Sequence, residues 1–334
     1  MSSWSHYGLK VRRGCFRMSQ RIFITGGLGY IGGRLASHLL QRGYQVVIGT
    51  RSDEKNTSWL PKIKLIKIDW SNILDIENSI KGNDVIVHAT GLNAKECDED
   101  PIAAFAINEL ATGRLAEAAV NKGIKQLIYL STAHVYSNPL VGVISEETKP
   151  SNISPYALSH LFGENAILSA CKNKLISSTV LRLSNVFGSP MEKNVNCWML
   201  LVNDLCKQSV QTKKIKLRSS GLQMRNFLCM TDLCEIVEYI IKNKNTDLKN
   251  NIINVGSKES VTVRSMAQFI QQRCIEVLGY QPQLDYEINK NIEDNKILKY
   301  EIKKIIAFGN DLLKENKIKE IDNLLKFCYS NFKV

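Results

Sequence analysis

Arg21-Ile22-Phe23-Ile24-Thr25-Gly26-Gly27-Leu28-Gly29-Tyr30-Ile31-Gly32 is the stretch that decides the fold. A short apolar run breaks into glycines and then takes on a helical pattern, which predicts a buried strand, a tight turn and a helix in that order. Gly26 can make the sharp turn, Gly29 lets backbone approach a pyrophosphate, and Gly32 lets the helix lie close on the sheet. The helix N-terminus, with unpaired N–H groups and the positive end of its dipole, then faces the phosphates. The spacing alone is weak evidence, and the strand–turn–helix order is what gives it weight.

Outward from this turn, the first half alternates strand-like and helix-like patterns. Strands are expected near Ile22–Thr25, Gln45–Gly49, Lys64–Ile68, Asp84–Ala89, Gln126–Ser131 and Ser178–Leu183, with helices between them. This predicts an α/β fold with a doubly wound parallel sheet covered on both faces. A helix over Pro101–Asn121 is expected to turn Ile102, Ala106, Ile107, Leu110 and Leu115 to the core. Another helix starts near Pro155. After Ser189–Pro190 the alternation stops. A division follows: residues 18–188 mainly a dinucleotide-binding domain, and 189–334 mainly a smaller α/β substrate-binding region. Val263–Leu278 reads as a helix with an apolar stripe, and the last 50 residues as solvated helices.

With 334 residues, 44% of them apolar and 23% charged, the chain has the composition of a soluble globular protein. No window approaches the roughly 18 apolar residues of a membrane span, so no membrane partner is expected. Nine scattered cysteines without metal-ligand doublets fit a reducing, cytoplasmic setting and no metal. Of the net charge of +12, eight positives precede the first acid, Asp53. Such a field favours anionic ligands or is simply a solvated surface. No aromatic-basic interleaving points to nucleic acid. Residues 1–17 lack an apolar signal core and read as an extension ahead of Met18.

Two further segments add chemistry: Leu130-Ser131-Thr132-Ala133-His134-Val135-Tyr136 at a strand end, and Ser154-Pro155-Tyr156-Ala157-Leu158-Ser159-His160 opening a helix. With them stand Asp69 after the third strand, Val85-Ile86-Val87-His88-Ala89, Asn108, Arg182-Leu183-Ser184-Asn185-Val186-Phe187-Gly188, and Arg225-Asn226-Phe227 before Thr231-Asp232. From about Gln20 to Val263 the chain resembles the extended short-chain dehydrogenase/reductase family, in particular its nucleotide-sugar epimerases, dehydratases and ketoreductases.

The resemblance implies a Rossmann-type fold and a nicotinamide cofactor held by Gly26, Gly29, Tyr30, Ile31, Gly32, Arg51, Asp69, Trp70, Ala89, Asn108, Tyr156 and His160. It implies a nucleotide-diphosphate sugar held by Thr132, Asn185 and Arg225, and a homodimer formed through two helices. Tyr156 and Thr132 match the catalytic tyrosine and its hydroxyl partner. A free phenol has a pKa near 10, so acid–base work near neutrality needs a neighbour that stabilises the phenolate. The family usually supplies a lysine four residues after the tyrosine, on the same helix face, and here that residue is His160. His160 can stand in for the lysine, protonated beside the cofactor phosphates. Water or Thr132 can cover part of the task, or the chain can bind without turnover.

The second strand ends Ile48-Gly49-Thr50-Arg51-Ser52, with no carboxylate for a ribose before Asp53. Arg51 suits a 2′-phosphate, with Arg34 as a second candidate, so NADP(H) is expected and NAD(H) is the alternative. The preferred reading is NADPH-dependent reduction of a 4-keto nucleotide-diphosphate sugar by Tyr156, Thr132 and His160. The alternatives are an NAD-dependent 4-epimerase or 4-dehydrogenase, and a silent binding member. Ala133 and His134 replace the Asp-Glu pair of dehydratases, which argues against 4,6-dehydration. His134 can touch substrate but is expected first as a packing residue at the strand end, and His88 as packing beside the cofactor.

Overall fold

Four of the five residues of β1 (Arg21–Thr25) are buried, as expected of a strand covered on both faces by helices. In the computed structural model, which describes residues 20–51, 59, 63–243, 251–287, 296–309, 312–314 and 316–333, it leads into α1 (Tyr30–Gln41). Residues 1–17 and Asp53 lie outside the described residues. β2 (Gln45–Thr50), β3 (Lys64–Lys67), α2 (Ile73–Ile80), β4 (Val85–His88), α3 (Ala94–Glu99) and α4 (Pro101–Ala104) follow. A π turn at Phe105–Leu110 connects to α5 (Ala111–Asn121), β5 (Gln126–Thr132), β6 (Gly142–Ile144), α6 (Pro155–Cys171) and β7 (Ser177–Leu183). Then come β8 (Asn185–Phe187), α7 (Leu201–Thr212), β9 (Lys214–Lys216), β10 (Met224–Cys229), α8 (Met230–Lys242) and β11 (Asn251–Val255). β12 (Ser260–Thr262), α9 (Val263–Leu278), β13 (Gln283–Asp285), β14 (Leu298–Tyr300), α10 (Lys303–Phe308) and α11 (Lys317–Phe332) complete the order.

Seven strands form a parallel sheet in the order β3-β2-β1-β4-β5-β7-β11. The direction of growth reverses between β1 and β4, and in a doubly wound sheet the ligand crevice opens at the carboxyl ends of such a pair. On one face, Leu35 and Leu39 of α1 share a core with Ile236 and Ile240 of α8. On the other, Ile76 and Ile80 of α2 pack with Leu115, Ala119 and Ile167 from α5 and α6. A second layer gathers Leu205, Ile270 and Leu324 from α7, α9 and α11 against Phe227 of β10.

Three features depart from the sequence reading. The chain does not leave the sheet at residue 188: β11 returns to its edge, with Ile253 beside Leu181 of β7. The expected helix over Pro101–Asn121 is interrupted by the π turn. One extra residue in a turn shifts the helical register, so Ala104 and Asn108 face inward while Ile102 and Leu110 are 83% and 55% exposed. In the C-terminal helix, Ile321, Leu324, Leu325 and Cys328 are core, so α11 is solvated on one face only.

Candidate active site

The opening turn is shaped by what its glycines leave out. Gly26 has φ +65°, and a Cβ there would sit 2.7 Å from the carbonyl oxygen of Ala89. A Cβ on Gly32 would lie 2.3 Å from the carbonyl oxygen of Gly26. Gly29 N–H donates to Gly26 O at 2.9 Å, and Gly29 caps α1 with no side-chain bond, leaving the helix N-terminus open. Thr25 Oγ1 accepts from the N–H groups of Ala89 and Thr90 at 3.1 and 3.3 Å, which joins the loops after β1 and β4.

These loops border a cavity of about 500 Å³. Its lining includes Gly26, Gly29, Tyr30, Ile31, Gly32, Arg51 and Ala89, together with Thr132, Tyr156, His160, His134 and Asn185. Two buried hydroxyls on the wall, Thr90 Oγ1 and Ser184 Oγ, have no hydrogen-bond partner among the described residues. A cradle that backbone can line, a free helix N-terminus and unpartnered hydroxyls fit a dinucleotide.

Tyr156 is placed by the start of α6, where Ser154 Oγ accepts from Ala157 N–H and Pro155 occupies the first helical position. Thr132 ends β5, and its Oγ1 accepts from His134 N–H at 3.1 Å. The Thr132 hydroxyl lies close enough to Tyr156 to act on its phenol. Burial pushes the Tyr156 phenol up, and the Thr132 hydroxyl pulls it part of the way back. His160 lies one turn on, 6% exposed, with its ring edge-on to Tyr156 at 4.7 Å between centroids. Burial lowers His160 to about 4, so it is a neutral imidazole at pH 7 and not the protonated lysine substitute expected beside phosphates.

Other expected residues sit elsewhere. The Asp69 carboxylate is exposed and closes a turn on Ser71, accepting from its N–H and Oγ at 2.9 and 2.6 Å. Neither Asp69 nor Trp70 is on the cavity wall. Asn108 is fully buried: its Oδ1 accepts from Leu92 N–H at 2.8 Å and its Nδ2 donates to Ser159 Oγ at 3.1 Å. It holds the loop after β4 and does not line the cavity. Tyr30 lines the cavity, but its hydroxyl donates to Gly188 O at 2.9 Å. Arg34 is engaged by Ser189 O at 2.7 Å and by Glu320 at 3.1 Å, which removes it as a phosphate candidate.

Asn185 Nδ2 donates to Asn226 O at 2.9 Å. Arg225, on β10, has no acidic partner among the described residues and does not line the cavity; burial of His134, and then the Arg225 charge, lower His134. His134 also meets the Ser137 backbone while facing the cavity, so it combines packing with a place on the wall. His88 is wholly internal, bonded to Thr25 Oγ1 at 2.7 Å and Thr112 Oγ1 at 2.8 Å. Val195, Asn196, Leu200 and Leu201 also line the cavity. They come from a segment with no periodic pattern, and only the fold brings them to the wall.

A family model described as the NAD dependent epimerase/dehydratase family matches residues 22–256. The chain belongs to this family. Among its members, UDP-glucose 4-epimerase of Mycoplasma genitalium is 27% identical over 260 residues, covering 71% of this chain and 76% of the relative. UDP-N-acetyl-alpha-D-glucosaminuronate decarboxylase of Bacillus cytotoxicus is 26% identical over 268 residues, 76% of this chain and 80% of the relative. The fold is similar to that of UDP-glucuronic acid 4-epimerase from Bacillus cereus, solved with UDP-glucuronic acid and NAD (TM-score 0.78, 21% identity, covering 93% and 99% of the two chains). It is also similar to UDP-N-acetylglucosamine 4-epimerase from Methanobrevibacter ruminantium M1, solved with UDP-N-acetylmuramic acid (TM-score 0.78, 22% identity, covering 93% and 99%). No helix among the described residues is long and apolar enough to cross a membrane.

Proposed function

We propose that this chain is an NAD-dependent 4-epimerase of a nucleotide-diphosphate sugar. The observation that carries the reading is that Tyr156 and Thr132 line the same cavity as the glycine turn, with the Thr132 hydroxyl close enough to lower the phenol. The expected NADPH-dependent reduction of a 4-keto sugar has no support among the relatives named above, whereas the NAD-dependent epimerase alternative does. Arg51 at the rim is the feature that still favours NADP.

Gly26, Gly29 and Gly32 would hold the dinucleotide, and when bound its nicotinamide supplies reversible hydride acceptance. Tyr156 takes the proton from the sugar hydroxyl during oxidation and returns it during reduction. Thr132 orients the same oxygen. Asn185, on the cavity wall, would meet the diphosphate, and Arg225, half-buried off the wall and without an acidic partner among the described residues, would have to turn toward it. Neutral His160 gives the phenolate no positive charge, so turnover should be slow at neutral pH and rise toward alkaline pH. For the same reason a second reading, a binding member without turnover, is kept.

Incubation with a panel of UDP-sugars and chromatography for the epimer tests this, with mass spectrometry of ligand released on denaturation. Retained NAD with an epimer supports the reading. Bound dinucleotide without an epimer at any pH leaves the silent binder, and net NADPH oxidation restores the reductase. We also propose a homodimer, because Ile102, Leu110 and Phe162 are exposed on adjoining helices.

A further inference from the structure

Tyr129 rises from β5 beneath His160, with its hydroxyl 2.8 Å from His160 Nδ1. The phenol is fully buried between two imidazoles, stacked on His88 at 5.5 Å and on His160 at 6.0 Å between ring centroids. Gly163 leaves it room: a Cβ there would lie 3.0 Å from the Tyr129 hydroxyl and 2.5 Å from Asn108 O.

This contact fixes where the imidazole proton sits. Burial raises Tyr129 well above an ordinary phenol, so it keeps its O–H at working pH. Among the described residues its only acceptor is Nδ1. A buried O–H needs an acceptor, and a protonated Nδ1 cannot accept. Tyr129 therefore donates to Nδ1, and the single proton of the neutral ring is on Nε2. That nitrogen has no acceptor among the described residues. His160 lines the cavity, and Gly91 keeps the space beside it clear: a Cβ there would be 3.7 Å from Nε2.

We infer that Tyr129 is a positioning residue that locks His160 as the Nε2–H tautomer, making it a neutral donor of fixed direction to a hydroxyl oxygen of the bound dinucleotide. A lysine would offer a charge and three N–H bonds on a rotatable arm; this pair offers one N–H with no charge. The identity of the acceptor rests on the function proposed above, and the tautomer does not.

Nitrogen-15 NMR of histidine-labelled full-length protein, assigned with His160→Gln, reads both ring nitrogens directly. The expected result from pH 6 to 8 is a bare, pyridine-type Nδ1 and a protonated Nε2. Tyr129→Phe should mix the tautomers and, for an equal mixture, weaken NAD binding about twofold. A protonated Nδ1 in the native protein, or a His160 signal unmoved by Tyr129→Phe, overturns the inference. If the variant does not fold, the native spectrum alone decides the tautomer. A locked tautomer in a protein that binds no dinucleotide would overturn the acceptor together with the proposed function, leaving only the Tyr129–His160 bond.

Discussion

Glu164 of α6 and Arg182 of β7 form a two-pronged ion pair, with Nη2 2.6 Å from Oε2 and Nε 3.0 Å from Oε1. Both are buried, and Ser131 Oγ donates to the same carboxylate at 2.5 Å. The pair thus ties together β5, which ends in Thr132, α6, which opens with Tyr156, and β7, which leads to Asn185. Removing one partner strands a buried charge. Glu164→Ala should cost about 3–5 kcal/mol in urea unfolding. A loss below about 1 kcal/mol would mean that water or a neighbour compensates Arg182.

Tyr156→Phe keeps the ring and removes the hydroxyl proposed to move the sugar proton. Epimerisation should fall about 10²–10⁴-fold. Calorimetric binding of the UDP-sugar should be unchanged. Equal loss of binding and rate would place Tyr156 in ligand capture instead.

Stability should fall as the solution becomes acidic. Burial holds His160 at about 4 and His88 at about 3, below the ordinary 6.5, so the unfolded chain takes up these protons first. Their contribution is whole above pH 6.5 and is lost as pH falls toward those values. Asp232 has the opposite sign: burial raises it to about 6, so its folded form protonates first and gains stability below that pH. Two histidines outweigh one carboxyl, with a net loss of about 3 kcal/mol between pH 7 and 4.5. Urea midpoints at the two pH values check this, and a flat profile would contradict the burial of the two rings.

Much of this was legible in the chain itself. The glycine turn, the strands of the first half, and the starts of α6 and α9 follow from local patterns, because propensity, capping and burial agree there. The π turn at Phe105–Leu110 was not legible, since a one-residue register shift leaves the apolar composition unchanged and only turns it. Asn108 and Asp69 were placed at the cofactor by resemblance, but their bonds to Leu92 and Ser71 depend on loop geometry. The neutrality of His160 follows from the burial of its ring between α6 and Tyr129 of β5, which no sequence window reports.

Gly32→Ala would drive a methyl group into the Gly26 carbonyl and should abolish dinucleotide binding in a fluorescence titration. Arg51→Ala should leave NAD affinity unchanged and weaken NADP binding about tenfold, through loss of a charged hydrogen bond. Equal weakening of both would assign Arg51 to the shared pyrophosphate.

Phe162 is 42% exposed on α6, with its ring 6.0 Å from that of Phe105. Phe162→Glu should convert a dimer to a monomer in sedimentation velocity. A native monomer would reject the dimer outright.

Because β11 enters the sheet only after α7, β10 and α8 have been made, the ribosome must reach residue 255 before the edge beyond β7 can be closed. Until then a nascent chain exposes the unpaired backbone of β7, and before residue 242 also the apolar side of α1 that α8 covers. A fragment cut at residue 188 would have the glycine turn and Tyr156 but a frayed border, and belongs with aggregation-prone species rather than with minimal cofactor-binding modules.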